Sequence, residues 1–229
     1  MAQVILPVIP RVPSVSLTPD ATAIVKHLCH ELRQPLSTIE SAAYYLQMVG
    51  QRGSDQAEQI QQMVQQANRM LSDAVYLLQA APPRPQWVDL TELIQSAINA
   101  MCSDQPSEVD WSETAMSPLV WMDPGQAGHL VRSLIGALSS FSQTTDDSLM
   151  ISLYREGDEA VLEVAAHVTE QICRLAGRLF EPLNPAIPSG ALALASVQRI
   201  VEAHSGTVTA RHDNDHVLTV EVRLPSAAQ

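Results

Sequence analysis

A single lysine, Lys26, serves a chain of 229 residues. Every other basic side chain is an arginine or a histidine, so a site that needs lysine on a phosphate must use Lys26 or do without one. Cysteine is nearly as scarce: Cys29, Cys102 and Cys173 are odd in number and have no metal-like spacing, and Cys29 falls inside a helical pattern. Reduced thiols and no disulfide are expected. No stretch approaches 18 uninterrupted apolar residues, and the start Met1-Ala2-Gln3-Val4 lacks the basic stretch and apolar run of a signal peptide. The expectation is a cytoplasmic protein with no membrane span. Basic charge is also short, with 13 Lys and Arg against 25 Asp and Glu and a net charge of -12. An acidic surface repels nucleic-acid phosphates and anionic lipid, and no basic cluster interrupts it, which argues against a general binder of either.

What is present suits two compact domains, each with its own core. The apolar share of 46% with 17% charged residues is ordinary for a globular chain. Divided after Ala80, the chain has 5 basic and 6 acidic residues before the cut and 8 and 19 after it, so the second part carries -11.

Residues 1–17 hold Pro7, Pro10 and Pro13 among β-branched residues and read as an extended arm. Thr18-Pro19-Asp20 supplies a cap, a first-turn proline and an acid, which together start a helix. Ile24, Leu28, Leu32, Leu36, Ile39, Ala43, Leu46 and Val49 then recur in steps of three and four, the pattern of one buried face. Pro35 lies within that helix and is expected to bend it. After the turn at 50–54, Ile60, Met63, Val64, Ala67, Leu71, Ala74, Leu77 and Leu78 repeat the period. The fold expected over 18–80 is a helical hairpin, which buries too little alone and forms a four-helix bundle as a homodimer.

Residues 81–87, including Pro82, Pro83 and Pro85, read as a stiff linker. Beyond it, over 88–229, helices and strands alternate. Helices are predicted around 90–101, 125–140, 170–179 and 191–203, with strands near Val109, 119–121, 151–154, 161–164, 207–211 and 217–224. That order describes an α+β sandwich.

The segment His30-Glu31-Leu32-Arg33-Gln34-Pro35-Leu36 places a histidine beside an acid on the first helix. A neutral imidazole nitrogen can attack phosphorus, and an adjacent carboxylate can orient the ring. Gln34, one turn on, shares the face and can position a water. By spacing alone, a surface histidine on an amphipathic helix is the competing reading. His27, Cys29 and His30 make a poor metal site, because neighbouring helical positions point apart and no carboxylate completes the set. His30-Glu31-x-x-Gln34 lacks the second histidine of a zinc-protease helix, and no G-x-S-x-G elbow exists. No bound metal is expected. His129, His167, His204, His212 and His216 read as surface or turn residues, and Trp87, Trp111 and Trp121 as core and linker packing.

Residues 30–36 resemble the H-box of histidine kinases, whose dimerisation and phosphotransfer domain is a helical hairpin of about this length. The resemblance continues over 88–224, where the order of elements is similar to that family's ATP-binding domain, but the matching positions lack its ligands. Ser133 and Ala137 stand where the family has two asparagines for magnesium and phosphate. Ala165-Ala166-His167 stands where an adenine-binding D-x-G-x-G loop would follow its strand. Phe180-Glu181-Pro182-Leu183 resembles the family's phenylalanine segment. Ser189-Gly190-Ala191-Leu192-Ala193-Leu194 occupies the place of its G-x-G-L-G-L loop, and a Cβ at Ala191 and Ala193 keeps backbone amides from wrapping phosphate.

The resemblance therefore implies a histidine phosphotransferase that relays a phosphoryl group between receiver-domain aspartates without binding ATP or any cofactor of its own. His30 is its acceptor, Glu31 orients the ring, Lys26 and Arg33 draw in phosphoryl oxygens, and the receiver supplies Mg2+. Response-regulator receiver domains are the expected partners, with a hybrid histidine kinase as a further candidate. A non-catalytic regulator that pairs with a kinase or sequesters a receiver is an alternative. A divergent kinase, or a phosphatase using Gln34, is another.

Overall fold

The computed structural model describes residues 21–49, 54–78, 83–104, 109–113, 118–142, 148–187 and 190–227. The expected arm, the Thr18-Pro19-Asp20 start signal, the turn at 50–53 and Ser189 lie outside them.

Helices α1 (Ala21–Val49) and α2 (Ser54–Leu78) form the hairpin. α1 runs through Pro35. Proline has no N–H to give, so the Glu31 carbonyl lacks its helical donor. One turn on, the Thr38 and Ser41 hydroxyls donate to the carbonyls of Gln34 and Ser37 at 3.1 and 2.9 Å. The apolar stripes are only partly covered within one chain. Ile24, Leu28, Met70, Ala74 and Leu77 are buried, whereas Leu36, Val64, Leu71, Val75 and Leu78 are exposed. The single buried face expected for α1 is thus two sets, one covered by the chain itself and one open.

The second domain begins earlier than its linker suggests. β1 (Gln86–Asp89) pairs antiparallel with β3 (Leu119–Met122) in a two-stranded sheet, so Gln86 and Trp87 are strand residues. α3 (Leu90–Asp104) and β2 (Val109–Glu113) lie between them in the chain. α4 (Pro124–Phe141) starts at an aspartate cap: Asp123 accepts from the N–H groups of Gly125 and Gln126, with Pro124 in the first turn. β4 (Leu149–Glu156) and β5 (Glu159–His167) follow, turning at Gly157, whose φ of 62° suits glycine.

The predicted helix over 170–179 is corrected. Only one α turn forms, α5 (Glu170–Cys173), capped by Thr169, and a 3-10 turn at Ala176–Arg178 succeeds it. Gly177 weakens helix propensity there, and the amides of Leu175 and Arg178 reach carbonyls three residues back. α6 (Ala191–Ala203) then leads to β6 (Thr207–His212) and β7 (Val217–Pro225). At the end of α6 Gly206 lies so close to the next strands that a Cβ would overlap the Arg223 carbonyl oxygen.

The main sheet has the order β2-β4-β5-β7-β6, parallel only between β2 and β4. Alternation aims Ile151, Leu153, Leu162, Val164, Leu218, Val220 and Val222 into one core with Leu130, Leu134 and Leu138 of α4 and Leu194, Val197 and Val201 of α6. The opposite face carries ion pairs, with Arg223 on Glu156, Glu159 and Glu221 and Arg211 on Glu163. Four of the 19 acids of this part of the chain are held there.

Two further expectations are corrected. His129 and His204 are buried, unlike the surface or turn histidines they resembled, and Trp87 and Trp121 are exposed. Among the described residues no helix is long and apolar enough to cross a membrane.

Candidate functional site

Lys26, His30, Glu31, Arg33 and Gln34 all lie on α1. Lys26, His30 and Gln34 are spaced one turn apart and so occupy one side of the helix. Position 30 lies about 200° around the axis from both Leu28 and Leu32, at 100° per residue. Leu28 is buried and Leu32 packs beside it, while Arg33 and Gln34 are exposed. Gln34, one turn beyond His30, is thus open to solvent, while Leu28 on the other side of α1 packs inside the chain.

That opposite side meets the second domain. Ile24 and Leu28 of α1, Met70, Ala74 and Leu77 of α2, and Leu192 and Ala195 of α6 form one buried apolar cluster, with Leu32 and Leu183 packed against it. Leu183 holds a left-handed backbone, φ 66°, which costs a non-glycine residue about 1 to 3 kcal/mol and persists only where its surroundings require it.

A buried polar network continues the joint. Asp73 of α2 is 5% exposed, and its Oδ1 accepts from the Ser133 hydroxyl at 3.0 Å and lies 3.2 Å from Nε2 of His129. The same Nε2 stands 3.0 Å from Ser196 Oγ and 3.3 Å from Ser133 Oγ. Ser196 spends its proton on the Ala193 carbonyl at 2.8 Å, and Ser133 gives its own to Asp73. Nε2 of His129 must therefore carry a hydrogen, which Ser196 and Asp73 share. Aspartate and serines crowd one ring nitrogen, whereas an acid-histidine-serine relay needs them on opposite nitrogens. The cluster fastens two domains and has no nucleophile poised.

Further ties close the same seam. The Tyr76 ring lies on the His129 ring with centroids 3.8 Å apart, and its hydroxyl donates to the Gly125 carbonyl at 3.3 Å. Arg199 of α6 donates to the carbonyl of Leu77. The Arg84 amide donates to Asp123 Oδ2 at 2.9 Å. Partial desolvation raises the Asp123 carboxyl, but donations from Arg84, Gln126 and Gly125 outweigh it and hold it below the usual carboxylate range. The Asp123 amide in turn donates to Nε2 of His204 at 3.0 Å, and the other nitrogen of His204 donates to the Ile200 carbonyl at 2.8 Å. His204 is thereby fixed as a neutral imidazole, and burial pushes it below the ordinary histidine range.

The positions that the resemblance sets against nucleotide ligands divide between this seam and the main core. Ser133 binds Asp73, while Ala137 and Ala166 are buried in the main core. Ala191 and Ala193 open α6, whose residues 191–197 are all buried. Gly190 sits against Phe141 so closely that a Cβ would fall 2.7 Å from the ring. Among the described residues no group of three or more His, Cys, Asp or Glu is placed to hold a metal ion.

Sequence reasoning had singled out Ser133 but not Asp73, His129, Ser196 or Arg199. The available signal was His129 with Ser133 one turn apart on a mostly apolar helix. Their partners stand 56 or more residues away in the chain, which local patterns do not reveal.

Residues 21–81 match the family model described as the His Kinase A (phospho-acceptor) domain. The chain is 25% identical over 211 residues to the sensor histidine kinase ZraS of Salmonella typhimurium, an alignment covering 88% of this chain and 45% of ZraS. It spans less than half the length of the curated relatives it matches. Histidine kinase AdeS of Acinetobacter baumannii superposes on 87% of this chain and 98% of its own, with TM-score 0.62 and 17% identity. A bacterial phosphotransferase does so over 92% and 98%, with TM-score 0.54 and 13% identity. The fold is a histidine kinase-like core, a helical hairpin followed by an ATPase-like α/β sheet domain.

Proposed function

From a histidine kinase-like core, we propose that this protein is a dimeric histidine phosphotransferase, which takes a phosphoryl group from the aspartate of one receiver domain and hands it to another without ATP. One observation carries the reading. Arg33 and Gln34, beside and one turn beyond His30, are exposed, while Ile24 and Leu28 of α1 pack with Leu192 and Ala195 of α6, at the segment where a kinase would hold its phosphate loop. An incoming receiver finds the acceptor helix open. A nucleotide would have to displace Asp73 from Ser133 and part the Gly190–Phe141 contact.

In the proposed step a neutral nitrogen of His30 attacks phosphorus, the bond to the aspartyl oxygen breaks, and the aspartate departs as carboxylate. The return step reverses it on a second receiver. Mg2+ comes with the receiver and screens the phosphoryl oxygens. Glu31 orients the imidazole, and Arg33 with Lys26 favours the approach of the dianion in a chain that is otherwise acidic. The phospho-acceptor domain match supports both the dimer and exchange with response regulators. Likeness in fold to a bacterial phosphotransferase along nearly its whole length adds weight.

Incubation with a phosphorylated receiver should place acid-labile, base-stable label on the wild-type protein and none on His30→Ala. Label that persists in His30→Ala, or that never appears across a panel of receivers, contradicts the proposal. The sensor kinases among the relatives favour a second reading, a kinase with a divergent nucleotide site. Label acquired from ATP would establish it.

A further inference from the structure

The outer face of the β1–β3 ribbon carries large aromatic side chains that nothing among the described residues covers. Val88, Val120 and Met122 of this ribbon point into the core and are buried. The alternate residues should then be polar, since they meet water. Instead Trp87 and Trp121 face each other across the strands, 53% and 45% exposed, with rings edge to face at 5.1 Å. Two half-bare indoles side by side are the kind of surface on which proline-rich segments dock, since proline rings stack on aromatic faces and a preformed polyproline II helix has little entropy left to lose.

The sequence holds one segment of that kind. Polyproline II repeats every three residues, and Pro7-Val8-Ile9-Pro10-Arg11-Val12-Pro13 sets three prolines at that period, on one edge. Arg11 is the only charged side chain among the first 19 residues, and Asp89 lies on the same ribbon face as Trp87, two residues on. We propose that Pro7–Pro13 of this chain docks on its own Trp87–Trp121 pair, with Arg11 toward Asp89.

The eight residues from Pro13 to Ala21 span up to about 26 Å when extended. The start of α1 is tied to the end of the domain that follows the ribbon: Ile24 and Leu77 share one apolar cluster, and Tyr76 beside Leu77 bonds to Gly125, four residues past Trp121. A tethered segment meets its site at an effective concentration of about millimolar, so a short contact is enough. The inference stands apart from phosphotransfer and holds or fails without it.

The test uses the full chain in a Trp111→Phe background, leaving Trp87 and Trp121 as the only indole emitters, against the same chain carrying Pro7→Ala, Pro10→Ala and Pro13→Ala. Docking predicts acrylamide quenching about twofold stronger and a red-shifted emission in the triple variant. A synthetic peptide of residues 3–16 should reverse both saturably. If Trp111→Phe weakens the fold, the indole N–H resonances of the otherwise native chain serve instead, with two of three moving on loss of the prolines. Equal quenching with and without the prolines overturns the proposal. Protection that vanishes on dilution also overturns it, assigning the pair to a second copy.

Discussion

The hairpin has two apolar sets with different fates. Ile24, Leu28, Met70, Ala74 and Leu77 are covered from within the chain by α6, and a buried polar network of Asp73, His129, Ser133 and Ser196 seals the edge. Leu36, Val64, Leu71, Val75 and Leu78 have no such cover and stand exposed on the same two helices. The difference separates two tasks that periodicity alone merges into one stripe. The first set fixes the second domain to the hairpin, and the second asks for another copy. A polar network on the covered set also gives direction, because apolar surfaces slide at little cost whereas a buried carboxylate without its hydrogen bonds is expensive.

The largest effect should come from charging the open set. Leu71→Glu with Val75→Glu should weaken the dimer by about 1,000-fold or more, since two apolar side chains per protomer lose about 1 to 2 kcal/mol each. Sedimentation should then show a folded monomer. A variant that still sediments as a dimer would place the interface elsewhere.

Breaking the covered set should destabilise each chain without changing its association. Asp73→Ala leaves Ser133 without its acceptor and His129 with Ser196 alone, and should cost about 2 to 4 kcal/mol in urea denaturation. Asp73→Asn keeps an acceptor and should lose about half as much. Equal losses for the two would show that the carboxylate is not what holds the network. Leu77→Ala should cost a similar 2 to 4 kcal/mol or so by emptying the apolar half of the seam.

The smallest effect is one of pH. Burial lowers the pKa of His204, although its bond to Ile200 and the nearby Asp123 pull the other way. The folded chain then declines a proton that the unfolded chain accepts near about 6.5. The stability this histidine contributes is present above that value and is lost as pH falls through it toward the lower folded value. The urea midpoint of the wild type should drop between pH 7.5 and 5.5 more than that of His204→Gln. Parallel curves would contradict the neutral, doubly bonded imidazole.

Much of the second domain was legible because its helices and strands carry strong periods. α3, α4, α6 and the strands of the main sheet fall where three-to-four and two-residue repeats place them. β1 was hidden by the prolines before it, and the helix over 170–179 failed because Gly177 breaks a pattern that apolar spacing alone supported. The stretch around His30 is local, so its place on α1 could be read directly from seven consecutive residues. The joint could not. Asp73, His129 and Ser196 are ordinary residues until folding brings them together; His129 offered only Ser133 one turn on along a mostly apolar helix, and nothing near His204 in sequence indicates that it is buried. Trp87 and Trp121 misled in the other direction, since large aromatics usually pack inside.

The measurement that bears most directly on the account compares two donors for one acceptor. Wild-type protein and His30→Ala are each given a labelled phosphoreceiver and, separately, labelled ATP with Mg2+, and base-stable label on the protein is followed in time. The account predicts label on the wild type from the receiver alone and none on the variant from either. Label from ATP on the wild type, lost in His30→Ala, would contradict it by showing that the seam of α2 with α4 and α6 still opens to a nucleotide.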